Sequence, residues 1–162
     1  YVRSTLDRGN TTIVSPDAGR IKVSEQWAAK LGNLPLAFIH KQRDITRPNH
    51  AEAHGIIGDV DGRDCVVIDD MVDTAGTLCK AADALVQKGA KSVRAICTHP
   101  VLSGKAYENI ESSQLTELIV TDTLPLRRTS PKIKVLSSAK LFAHASRKTH
   151  EHRSISALFL GD

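Results

Sequence analysis

The stretch Cys65-Val66-Val67-Ile68-Asp69-Asp70-Met71-Val72-Asp73-Thr74-Ala75-Gly76-Thr77 decides how the chain reads. Its first four residues are continuously apolar, as a strand buried on both faces of a parallel sheet must be. They run directly into two carboxylates. A helical face follows at once in Leu78, Ala81, Ala82, Leu85 and Val86, closed by Gly89. Strand, loop and helix in immediate succession form the repeating unit of an α/β fold.

The same alternation extends in both directions. Upstream, Thr11–Val14 is a β-branched run that ends in the turn Ser15-Pro16-Asp17-Ala18-Gly19. Val23, Trp27 and Leu31 recur at helical spacing with Gly32 just beyond, and Leu36–Ile39 is a second apolar strand. A polar stretch from His40 to about His54 then interrupts the pattern. Its length and polarity predict a functional loop that orders on meeting an anionic ligand, from Lys41 to about Asn49. Downstream, strands at Val93–Cys97, Leu118–Val120 and Lys134–Leu136 alternate with helices at Lys105–Ile110 and from about Ala139 to Arg147. The expected fold is a single α/β domain over residues 1–162, with a mostly parallel sheet and helices on both faces.

In open parallel sheets, ligands bind outside the carboxyl ends of the strands. The residues between Ile68 and Leu78 occupy that place. Asp73 to Thr77 is expected to open a helix, where backbone N–H groups lack helical partners and the dipole favours an anion. Gly76 permits close approach of the backbone, and Thr74 and Thr77 add hydroxyl donors. Asp69 and Asp70 stand beside this cradle, and carboxylates accept hydrogen bonds from sugar hydroxyls or hold Mg²⁺. Phosphate, vicinal hydroxyls and Mg²⁺ together describe a sugar phosphate. No G-K-[ST] sequence is present, so the loop is not of the Walker type.

Composition narrows the remaining classes. Of the 162 residues, 41% are hydrophobic and 25% charged, which is the balance of a globular domain. The net charge of +4 is spread along the chain and forms no block long enough for a nucleic-acid arm, so no nucleic-acid partner is expected. No apolar run reaches the roughly 18–20 residues of a membrane span, and no signal peptide is visible. Cys65, Cys79 and Cys97 lack paired spacing and read as buried free thiols of a cytoplasmic protein. His40, His50, His54, His99, His144, His150 and His152 show no metal-ligand spacing.

Val66–Thr77 resembles the phosphoribosyl pyrophosphate (PRPP) loop of the type I phosphoribosyltransferase superfamily. Within it, the chain is similar to the ribose-phosphate pyrophosphokinase family. Val14-Ser15-Pro16-Asp17-Ala18-Gly19 resembles that family's pyrophosphate loop, and Ile39-His40-Lys41-Gln42-Arg43 the start of its catalytic loop. Thr98–Ser103 and Val120–Pro125 are also family-like. The resemblance implies that Lys41 and Arg43 are catalytic, Arg43 also contacting phosphate, that Asp17, Ala18 and Gly19 form the pyrophosphate loop, and that Asp17 holds Mg²⁺ near the pyrophosphate. It implies that Asp69 and Asp70 bind ribose hydroxyls, and that Asp73, Thr74, Ala75, Gly76 and Thr77 bind the 5-phosphate. The implied substrates are ATP and ribose 5-phosphate, the products PRPP and AMP, and the assembly a homo-oligomer. Many members carry a second glycine where this chain has Arg20. Family chains are about twice as long, with two similar domains. With Tyr1 rather than Met in first place, the sequence reads as the C-terminal half of such an enzyme, with the N-terminal domain absent and the isolated half inactive. A stand-alone phosphoribosyltransferase and a non-catalytic associated subunit stay open as alternatives.

Overall fold

A computed structural model of the chain describes residues 1–42 and 53–160. Its strands are β1 (Thr11–Ser15), β2 (Leu36–Gln42), β3 (Ala53–Ile57), β4 (Asp64–Val72), β5 (Ser92–Pro100), β6 (Glu117–Thr121) and β7 (Ile133–Leu136). Among the described residues they form one sheet, ordered β3-β2-β1-β4-β5-β6-β7. All neighbours are parallel except β2 and β3.

Successive side chains of a strand face opposite ways, so each central strand feeds two cores. After the short helix α1 (Val2–Thr5), Ile13, Val66 and Ile68 pack beneath helix α2 (Ile21–Lys30), through Ala28, Leu31, Val23 and Trp27. The intervening residues Val14, Cys65, Val67, Ala95 and Cys97 pack beneath α3 (Gly76–Gln87) and α4 (Ala106–Ser112). Leu78, Ala81, Ala82 and Leu85 form the buried face of α3. Burying a leucine such as Leu85 stabilises by about 1.5–3 kcal/mol. The expected parallel-dominated sheet with helices on both faces is therefore found. Gly32, at φ +106°, ends α2 as its position in the sequence predicts.

The sheet order places β1 at a topological switch. From β1 the chain passes through α2 to β2 on one side, and later enters β4 on the other. The loops after β1 and β4 consequently face each other across the crevice where such sheets bind ligands.

The polar stretch after Ile39 differs from expectation. Strand β2 continues to Gln42, and β3 begins at Ala53 and returns antiparallel, with Lys41 opposite His54 and Gln42 opposite Ala53. Ladder pairing satisfies backbone groups whatever side chains they carry, so polar residues at a sheet edge can still be strand. Residues 43–52 lie outside the described residues, as does the predicted ordering of that loop beyond the backbone of Lys41 and Gln42. The ribbon is closed by Gly58 at φ +115°, where a Cβ would stand 2.7 Å from the Cα of Ala37.

Helix α5 (Ala139–His150) has no buried residue, and its Leu141 and Phe142 are 54% and 60% exposed. All three cysteines are free and buried. Among the described residues, no helix is long and apolar enough to cross a membrane.

Candidate functional site

The diacid sits at the last part of β4, with both carboxylates fixed from their own backbone. The Asp70 N–H donates to Asp69 Oδ1 at 2.9 Å, and the Met71 N–H to Asp70 Oδ1 at 2.8 Å. From across the crevice comes Arg20, at the end of a single 3-10 turn, Ala18–Arg20. Its Nε lies 3.3 Å from Asp69 Oδ1, and its Nη2 pairs with Asp70 Oδ2. Burial raises the pKa of Asp69 above the ordinary carboxylate value, Arg20 opposes that rise, and Asp17 adds to it. The three charged groups thus share one electrostatic environment, although they come from two loops 50 residues apart in sequence.

Asp17 caps the 3-10 turn: its Oδ1 accepts from the Arg20 N–H at 3.1 Å. The Ser15 hydroxyl donates to the Asp17 carbonyl at 2.7 Å and tightens the loop. A Cβ on Gly19 would meet Asp17 Oδ1 at 3.2 Å, so glycine keeps this carboxylate in its capping place. Among the described residues no group of three or more His, Cys, Asp or Glu could enclose a metal ion. The donor set nevertheless suits Mg²⁺ held by one carboxylate with substrate phosphates, since Mg²⁺ keeps most of its ligands as water or phosphate oxygen.

The phosphate cradle departs from expectation in one respect. Helix α3 opens at Gly76 and not at Asp73, and the residue before it, Ala75, is left-handed at φ +60°. No side chain caps this end. The first amides of a helix have no partner within it, so those of Gly76 and Thr77 offer a donor set to an anion in a helix of twelve residues. A Cβ on Gly76 would meet only Thr74 Oγ1 at 3.8 Å, an ordinary contact. The fold itself therefore leaves room there, and a glycine leaves more of it to a ligand.

Sequence reasoning did not identify what supports this loop. Leu102 is left-handed at φ +48° yet 2% exposed. Its N–H donates to the Val72 carbonyl and the Ser103 N–H to the Asp73 carbonyl, each at 3.1 Å. The Ser103 hydroxyl donates to Asp73 Oδ1, and the Asn109 amide to the Thr74 carbonyl at 2.9 Å. The segment after β5 thus buttresses the segment after β4. The only sequence signal was the family-like run Thr98–Ser103. Asp73 spends a carboxylate oxygen on Ser103, so it shapes the loop as well as lining it.

Of the residues singled out from sequence, Asp17, Ala18 and Gly19 follow β1, and Asp69, Asp70 and Asp73 to Thr77 end or follow β4, the strand beside it, with Arg20 tying the first loop to Asp69 and Asp70. The backbone of Lys41 belongs to β2, next to β1. Arg43 lies outside the described residues.

Comparison with known proteins gives the following. A family model described as "Phosphoribosyl synthetase-associated domain" matches residues 43–160. A ribose-phosphate pyrophosphokinase of Bifidobacterium longum is 51% identical over 152 residues, covering 93% of this chain and 45% of that protein. The crystal structure of phosphoribosylpyrophosphate synthetase from Mycobacterium smegmatis superposes with a TM-score of 0.80 at 41% identity, covering 88% of this chain and 46% of that one. An adenine phosphoribosyl transferase of Trypanosoma brucei shares the fold at TM-score 0.50 and 18% identity, over 85% of this chain and 60% of that one. The chain spans about half the length of the curated relatives it matches.

Proposed function

We propose, from the premise that this chain belongs to the phosphoribosyl synthetase-associated domain family, that it is the ribose 5-phosphate half of a ribose-phosphate pyrophosphokinase. The reaction is attack of the ribose 1-hydroxyl on the β-phosphorus of ATP, forming the new P–O bond as the bond to AMP breaks and the hydroxyl proton leaves. One observation carries the reading. An acceptor pair at the end of β4 and, a few residues on, an uncapped helix N-terminus stand at the sheet's switch point, the acceptor and donor sets that a phosphorylated diol needs.

In this reading the amides of Gly76 and Thr77, with the hydroxyls of Thr74 and Thr77, hold the 5-phosphate. Asp69 and Asp70 accept from the ribose hydroxyls and so orient the sugar. Asp17, Ala18 and Gly19 form the loop that faces the pyrophosphoryl group, and Asp17 would hold Mg²⁺, which would neutralise charge on the phosphate oxygens. Lys41, on the strand beside β1, and Arg43 supply positive charge to the transferring group. Positioning and fixed positive charge do most of the work in phosphoryl transfer. The whole enzyme would be a homo-oligomer acting in the cytoplasm, where three buried unpaired thiols are at home. This chain would be its C-terminal half, with an ATP site needing the N-terminal domain. A stand-alone phosphoribosyltransferase is less well supported, because likeness to such enzymes at 18% identity speaks for the fold alone. A non-catalytic subunit is disfavoured by the presence of Lys41 and Arg43.

Calorimetric titration of this chain with ribose 5-phosphate and Mg²⁺ is the test. Binding should be present, and Asp69→Ala and Thr77→Ala should each weaken it by about 1–3 kcal/mol, the scale of losing hydrogen bonds to a charged partner. Unchanged binding in both variants would place the sugar phosphate elsewhere.

A further inference from the structure

The Arg20 guanidinium bridges both carboxylates of the diacid from the opposite loop, at 3.3 Å from Nε to Asp69 Oδ1 and with Nη2 on Asp70 Oδ2. An arginine stays charged under all ordinary conditions, and its planar fork matches carboxylate geometry. The pair is half-buried, with Arg20 28% and Asp69 29% exposed, so solvent only partly screens it. We propose that Arg20 is a built-in counter-ion that decides what the Asp69–Asp70 pair can bind: it keeps the pair an acceptor of neutral sugar hydroxyls and excludes divalent cations from it. The inference deepens the sugar-phosphate reading of this site and rests on that reading for the identity of the diol.

The chemistry separates the two ligand classes. A carboxylate offers about four acceptor positions. Asp69 and Asp70 each use two of them, one on the following backbone N–H and one on Arg20. Acceptors therefore remain for a diol, which brings its own donors and no charge. A divalent cation needs the charge itself. Arg20 reduces the diacid from −2 to −1 and sets a fixed positive group beside any incoming ion. Mg²⁺ also demands near-ideal octahedral geometry, and the fork already dictates where two oxygens point. Metal is thereby left to Asp17, whose carboxylate is tied only to the backbone of the 3-10 turn. Arg20 is a positioning and specificity residue in this scheme and takes no part in bond making.

The test uses Mn²⁺ alone as probe, with electron paramagnetic resonance counting bound ions on this chain without substrates. Arg20→Gly and Arg20→Gln remove the charge, and Arg20→Lys keeps it. Far-UV circular dichroism confirms folding of each, and the glutamine variant serves if glycine loosens the turn. The neutral variants should bind Mn²⁺ at least on the order of tenfold more tightly than wild type, since even with the screening of bulk water a unit charge about 6 Å from a divalent ion weighs that much. Adding Asp70→Asn should abolish the gain, and the lysine variant should behave as wild type. Wild-type affinity equal to that of both neutral variants, or a gain that survives Asp70→Asn, would overturn the inference. Ribose 5-phosphate titrations of wild type stand apart: failure to bind the sugar there would sink the function reading while leaving the metal result to be judged alone.

Discussion

Gly58→Ala is the most severe single-methyl change the fold predicts away from the site. The residue ends the β2–β3 ribbon at φ +115°, a conformation that side-chain-bearing L-residues rarely adopt. The added Cβ would lie 2.7 Å from both Cα and Cβ of Ala37 and 2.8 Å from the Leu36 carbonyl oxygen. Carbon atoms rest about 3.5–4 Å apart, so the chain must move by about 1 Å. Backbone atoms cannot swing away as a long side chain would. Ala37 is fully buried in β2, and β1 lies hydrogen-bonded on its other side, so it has nowhere to retreat. Left-handed strain costs roughly 1–2 kcal/mol and overpacking roughly 1–3 kcal/mol, for a total of about 2–5 kcal/mol. That is a large share of the roughly 5–15 kcal/mol that holds a domain folded. Urea denaturation followed by circular dichroism should show the midpoint falling with the slope unchanged. A loss below about 1 kcal/mol would refute the argument, because it would mean that the edge ribbon is soft enough to yield. On the proposed function, the same change should also reduce turnover in the whole enzyme, because β2 carries Lys41.

Three other outcomes follow from particular groups. On the proposed function, Lys41→Ala in the whole enzyme should lower kcat by about 10²–10³, the usual value of one stabilising donor, with ribose 5-phosphate affinity nearly unchanged; an equal loss in affinity would make the lysine a ground-state contact. Asp122 accepts from the side chain and backbone of Ser138 and from Ser137, which lowers its pKa to about 2. Its contribution to stability is therefore present above about pH 4 and lost as pH falls towards 2. Asp122→Asn should flatten the acid limb of a stability–pH curve between those values, and an unaltered limb would mean that the hydrogen bonds from Ser137 and Ser138 are not formed. Burial raises the thiols of Cys65 and Cys97 to about 12, so neither should react with an aromatic disulfide reagent at pH 8 until urea unfolds the chain; prompt labelling of both in the native protein would contradict the packing.

The central strands and the helices over them were legible because their signals are local. Val66–Ile68 is an unbroken apolar run and Val93–Cys97 is apolar but for Arg94, and α2 and α3 announce themselves by spacing and by a closing glycine. Strand β3 was not legible. Ala53-His54-Gly55-Ile56-Ile57 has neither alternation nor a run, and what makes it a strand is a partner eleven or more residues upstream. The start of α3 was read three residues early because alanine ordinarily signals helix, and nothing in Asp73-Thr74-Ala75 declares that Ala75 turns left-handed. The position of the site was readable from the diacid and its flanks. Its wiring was not: Arg20 stood out only as a departure from a family pattern, while its hold on Asp69 and Asp70 exists only once β1 and β4 are neighbours.

The antiparallel return of β3 on β2 has a consequence for how this protein can change over evolutionary time. Gln42 and Ala53 are opposite each other on adjoining strands, so whatever joins them begins and ends at nearly the same point. The entropy of closing such a connection grows only with the logarithm of its length, about 0.6 kcal/mol for each doubling. Residues can then be added or removed between the two anchors at little thermodynamic expense, and no register in the rest of the sheet shifts. A lineage could retune the length and charge of this connection by insertion and deletion, a freedom denied to the loop after β4, whose carbonyls at Asp73 and Thr74 are held by Ser103 and Asn109.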